Sequence, residues 1–139
     1  MQRLDAVFNT CYDLDGVICD EEYVVDEREY NIAGILLKPE EEVFAIITGR
    51  LEKYRNITET WLKKHEIRYK YLIMKPNHLK GVKNTPKFKA KHYKFYKESG
   101  LFIESHTWQA EKIAFYSGKP VFSIENNRVY TGKNGEYIC

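Results

Sequence analysis

Apolar and polar positions along this chain follow two periods, and the switches between them mark out strands and helices. Residues 6–14, "AVFNTCYDL", read as a first strand. "VFAIIT" (43–48) reads as a second, and its nearly unbroken apolar run suits a strand covered on both faces. "YRNITETWLKKHEI" places Ile57, Trp61 and Leu62 at helical spacing. "YKYLIMKP" predicts a third strand stopped by Pro76. "PKFKAKHYKFYKES" (86–99) starts on a proline, a favoured first-turn residue, and ends before Gly100, so it predicts a helix. "LFIES" is a fourth strand, "TWQAEKIAFYSG" a helix closed by Gly118, and "PVFSIE" a fifth strand. Residues 128–139, "RVYTGKNGEYIC", have the look of a terminal hairpin turning at Asn134 and Gly135. Strands alternating with helices point to an α/β fold with a largely parallel, five-stranded sheet.

Residues 19–42 interrupt this rhythm. They are acidic and irregular, too short for a folded lid domain, and long enough for a small flap. A chain of 139 residues fits one domain, 1–139, with a real core. No apolar run approaches the roughly 18 residues of a membrane span, and the first ten residues lack a secretory h-region. The three cysteines, Cys11, Cys19 and Cys139, are odd in number and lack metal-ligand spacing, which suits reduced thiols in the cytoplasm.

Charge changes the picture more than composition does. The net charge of +2 hides an acidic first half, with 6 Lys/Arg against 14 Asp/Glu in residues 1–62. Residues 63–97 reverse it, with 12 Lys/Arg against the single acid Glu66. Two solvated faces would produce this asymmetry, and so would a cation site beside an anion-attracting rim.

In open parallel sheets, ligands bind outside the carboxyl ends of the strands. The predicted ends carry Asp13 and Asp15, then Thr48, Gly49 and Arg50, then Glu104 and Ser105. The helix before the fourth strand adds lysines. Separate segments thus bring carboxylates, a hydroxyl and a cation to one edge. A calcium loop does not explain "DLDG", because its glycine comes too early and an apolar strand precedes it.

"DLDGV", "IITGR", a lysine ahead of the fourth strand and an acid at that strand's end resemble, in order and spacing, the haloacid dehalogenase superfamily. The likeness runs over about residues 6–126. "FKA", "LFIES", "QAEKIA" and "SGKPVF" are similar to the domain of this type often joined to a phosphoribosyltransferase-like domain. The resemblance implies a Rossmann-like three-layer sandwich and a Mg²⁺-dependent phosphatase working through an aspartyl-phosphate. In it Asp13 is the nucleophile and Asp15 the general acid and base. Thr48 holds a phosphoryl oxygen beside the Gly49 amide, and Arg50 takes part in substrate binding. Lys89 is the first candidate for the charge-neutralising lysine and Lys91 the second. Asp13, the Asp15 carbonyl, Glu104 and Ser105 are the candidate metal ligands.

The family pattern shows a second acid in or near the place of Ser105, and this chain departs from it. A flap in place of a cap implies an open site, with room for a large substrate or one positioned by a partner, and the expected substrate is a nucleotide or another phosphorylated small molecule. The basic residues 75–97 extend that to nucleic acid, with a 3′-phosphatase of nucleic-acid ends as one form of the function. The competing expectation is a non-catalytic module that binds a protein partner such as a phosphoribosyltransferase.

Overall fold

Five of the apolar runs lie side by side in parallel, because each of the first four is followed by a segment that carries the chain back across the sheet. The computed structural model describes residues 9–20, 33–132 and 136–138. The strands are β1 (Thr10–Tyr12), β2 (Val43–Leu51), β3 (Tyr69–Lys75), β4 (Leu101–Glu104), β5 (Val121–Ser123), β6 (Arg128–Thr131) and β7 (Glu136–Ile138). The helices are α1 (Arg55–Lys64), α2 (Thr85–Phe95) and α3 (Thr107–Ser117). The sheet runs β3-β2-β1-β4-β5-β6-β7, parallel through β5 and antiparallel after it. This is a Rossmann-like arrangement, with the chain reversing its direction of travel at β1.

The terminal strands do more than the sequence implied. β6 and β7 pair antiparallel, as the expected hairpin does, and they also extend the sheet to seven strands, with Val121 opposite Tyr130. The expected turn at residues 134–135 lies outside the described residues, as do residues 6–8 of the expected first strand and most of the expected flap.

Alternation along the strands sends side chains to two cores. Cys11, Ala45, Ile47 and Phe102 pack against Phe88, Ala90 and Tyr93 of α2 and Ala110, Ile113 and Ala114 of α3. Leu14, Val17, Ile18, Ile46, Leu72 and Met74 pack against Trp61 and Leu62 of α1 on the other face. Three layers result: α2 and α3, the sheet, then α1 with residues 14–19 and 33.

Helix ends follow local chemistry. Gly118 closes α3 in the left-handed region (φ 70°), where a Cβ is unwelcome, and its amide donates to the Ala114 carbonyl at 2.8 Å. α2 stops at Phe95, short of the expected residue 99. There the Tyr96 ring stacks on Tyr71 with centroids 5.0 Å apart. Lys119 Nζ donates to the Tyr93 and Tyr96 carbonyls (2.7 and 2.9 Å), satisfying acceptors at the end of the helix.

Trp61 ties part of the insertion to this frame: its ring is buried and Nε1 donates to the Ala33 carbonyl at 2.9 Å. Trp61→Phe keeps most of the packing and removes that donor. Urea unfolding should then show a loss of about 1–3 kcal/mol, and an unchanged midpoint would mean that the bond does not hold this segment.

Candidate active site

The carboxyl ends of β1, β2 and β4 converge, and α2 lays a lysine between them. Asp13 follows β1 directly, and Leu14 N donates to its Oδ1 at 2.8 Å. The chain then folds back on itself. Gly16 takes a positive φ of 83° that a side chain would resist, and its amide donates to the Cys19 carbonyl at 2.7 Å. Asp13 therefore stays under the strand ends while Asp15 turns toward the end of β2.

Lys89 is the centre of the site. Its Nζ lies 3.2 Å from Asp13 Oδ1 and donates to Glu104 Oε1 at 2.8 Å and Gln109 Oε1 at 3.1 Å. Burial alone would pull its pKa down, but Asp13 and Glu104 outweigh that and hold it above the usual lysine value. Asp13 is pushed up to about 7 by burial and then by the charge of Glu104, which Lys89 only partly offsets.

Glu104 is fully buried and its second oxygen is occupied as well. Oε2 accepts from Ser105 N (3.0 Å), Ser105 Oγ (3.2 Å) and His106 N (3.2 Å). Ser105 Oγ also lies 3.1 Å from Asp13 Oδ2 and 3.0 Å from His106 Nδ1. Ser105 thus joins the two carboxylates on the side away from Lys89.

Asp15 is held by Arg50. Nε meets Oδ2 at 2.9 Å and Nη2 meets Oδ1 at 2.6 Å, a planar two-point grip. Arg50 is itself aimed by Thr58, whose Oγ1 accepts from Nη1 at 3.1 Å. Burial raises Asp15 to about 6, with the Arg50 contacts pulling the other way. It retains 18% of its side-chain exposure, so it faces the mouth of the site. Arg50, expected on the substrate, has its guanidinium committed to Asp15 and Thr58.

Thr48 is buried, and its Oγ1 accepts from Arg50 N at 3.1 Å. The expected strand end at Thr48 lies instead inside β2, which continues to Leu51 through a shift of register. Gly49 sits where that shift brings β2 against α2, and a Cβ there would fall 2.9 Å from Thr85 Cγ2. Lys91 is not brought to the cluster. It is exposed, and two residues after Lys89 on a helix it points about 200° around the axis.

Three participants carried only faint sequence signals. Gln109 is a polar residue on the apolar face that Ala110, Ile113 and Ala114 bury. Lys75 ends β3, and its Nζ donates to the Gly81 carbonyl (2.6 Å), Asn84 Oδ1 (3.1 Å) and Thr85 Oγ1 (2.8 Å). Thr85 lies one helical turn before Lys89 on the same face, so Lys75 anchors the end of α2 that presents Lys89.

Among the described residues, no group of three His, Cys, Asp or Glu side chains is arranged around a point where a metal ion would sit. The donor chemistry nevertheless fits a hard divalent ion. The candidate ligands are all oxygens, and Asp13 and Glu104 outnumber their shared cation Lys89 by one charge. The oxygens of Asp13, Glu104 and Ser105 are all engaged with one another or with Lys89, so an ion would take over contacts that they now make within the protein.

Lys89→Met leaves two buried carboxylates facing each other and should cost about 3–5 kcal/mol of stability at pH 8. A carboxyl whose folded pKa exceeds its unfolded value contributes most in acid and loses that contribution as pH rises through the folded value. With Asp13 at about 7, the deficit should be smaller at pH 5 than at pH 8 by urea titration. Equal deficits would mean that Lys89 does not act by charge compensation.

No family model matches the chain, and no curated relative matches it. One solved structure is similar to it, described as the structure of the Pnkp1/Rnl/Hen1 RNA repair complex. The TM-score is 0.67 at 15% identity, over 83% of this chain. This chain spans 41% of the length of that one, and the likeness is one of fold.

Proposed function

We propose that this protein is a phosphoric monoester hydrolase of the haloacid dehalogenase type, working through an aspartyl-phosphate. The observation that carries the reading is the Lys89 ammonium bridging Asp13 and Glu104, beside an Asp15 gripped by Arg50. A buried carboxylate with a neighbouring cation suits a nucleophile for phosphorus, and a second carboxyl at the mouth suits proton transfer.

An Asp13 carboxylate oxygen attacks the phosphorus, and the bond to the leaving oxygen breaks. Asp15, raised toward neutral pH, gives its proton to that oxygen. In the second half Asp15 takes a proton from water, whose oxygen attacks the same phosphorus, releasing inorganic phosphate and restoring Asp13. Lys89 offsets the charge of Asp13 and Glu104, and Arg50 keeps Asp15 in place. Asp13, the Asp15 carbonyl, Glu104 and Ser105 would hold Mg²⁺. When bound, the ion supplies charge neutralisation on the phosphoryl oxygens.

The substrate class is a phosphorylated small molecule or the phosphorylated end of a nucleic acid, the second supported by the RNA repair complex named for the similar structure. Hydrolysis of p-nitrophenyl phosphate with Mg²⁺ tests the chemistry. Asp13→Asn should lose activity by on the order of 10³-fold or more, with its melting temperature kept. With p-nitrophenolate, which leaves without needing a proton, Asp15→Asn should accumulate a phosphorylated protein, because water is no longer activated. Equal turnover by Asp13→Asn and wild type would refute the covalent mechanism. No turnover by either would leave the non-catalytic module standing.

A further inference from the structure

The outer faces of α2 and α3 lie next to each other and carry complementary side chains. On α2, Lys87, Lys91 and Lys94 are exposed at positions i, i+4 and i+7, a stripe about 10 Å long by helical rise. Lys83, also exposed, precedes it in the turn that leads into the helix. Among the described residues, no ion pair engages these four lysines. On α3, Trp108, Phe115 and Tyr116 are exposed at 41%, 53% and 38%, with Lys112 between them and Glu111 the one acid of that face. The two faces touch where Lys87 Nζ lies 5.3 Å from the Tyr116 ring centroid.

The site and this surface are continuous. α3 begins two residues after Ser105, which places Trp108 in the first turn beyond the carboxylates. α2 begins at Thr85, which contacts Gly49 at the end of β2. The amino-end edge of the strands is more acidic: Glu40, Glu41, Glu42 and Glu98, with Lys70 the one cation among them, line an open cleft beside the start of β1 and β2. A polyanion is attracted to the lysine face and repelled from that edge.

We propose that the α2–α3 surface is a track for single-stranded nucleic acid, delivering a phosphorylated end to Asp13. The lysine stripe takes the phosphates, and Trp108, Phe115 and Tyr116 offer ring faces to bases, the combination on which sequence-tolerant strand binding rests. Paired bases present no free face to those rings, so a duplex binds more weakly. This deepens the phosphohydrolase reading and rests on it for the chemistry at the strand end.

The test uses a fluorescein-labelled twelve-nucleotide oligouridine with a 3′-phosphate, followed by anisotropy at 50 and 200 mM salt. Wild type should bind, and weaken with salt. The Lys83→Gln, Lys87→Gln, Lys94→Gln triple variant should bind at least about tenfold more weakly, with a salt slope lower by about 2. Trp108→Ala should weaken binding about 5- to 100-fold with the salt slope unchanged. Hydrolysis of p-nitrophenyl phosphate should be unaltered in the lysine variant. No binding by wild type, or equal binding by wild type and both variants, overturns the track. So does equal binding of polyglutamate of matched charge, which would make the face a dock for acidic protein. Strand binding without any hydrolysis of p-nitrophenyl phosphate would support the track and refute the phosphohydrolase reading.

Discussion

A single buried ammonium organises the functional end of this molecule. Lys89 lies between Asp13 and Glu104, which come from neighbouring parallel strands and would repel each other without it. Neither carboxylate can be paired elsewhere without leaving the other buried and uncompensated, so the position of α2 relative to β1 and β4 is fixed by charge as well as by packing. Gln109 adds a third acceptor from α3, and Lys75 secures the start of α2 from the end of β3. Four segments therefore depend on where one nitrogen is placed.

A second ion pair does a separate job. Arg50 grips Asp15 at two points and holds it at the mouth while Asp13 remains beneath it. The two aspartates, one residue apart in sequence, have different neighbours and different freedom. The surplus negative charge stays with Asp13 and Glu104, where a cation or a proton relieves it.

Much of the fold could be read from periodicity, because a strand covered on both faces must be apolar throughout and the helices between must be apolar on one side. The third strand ends at Lys75, stopped by Pro76 as expected, and the last helix stops at Gly118 as its missing Cβ allows. Boundaries set by tertiary contacts were not legible. β2 runs past Thr48 because a register shift against β3 lets it continue, and α2 ends early because Tyr96 stacks on Tyr71. The joining of β6 and β7 to the sheet depends on hydrogen bonds to β5 that no local pattern encodes.

The candidate site divides along the same line. Residue type and order alone singled out Asp13, Asp15, Thr48, Arg50, Glu104 and Ser105, because strand ends in a parallel sheet must gather at one edge, while the choice of Lys89 among the helix lysines came from the resemblance. What each side chain does there was decided by distance. Arg50 turns to Asp15, Glu104 is enclosed by Lys89 and Ser105, and Lys91 faces away, since helical geometry sends residues two apart to nearly opposite sides. The lysines of α2 and the aromatics of α3 were each visible as exposed helix positions. Only the packing of the two helices made them one surface, because their nearness in space has no counterpart in sequence spacing.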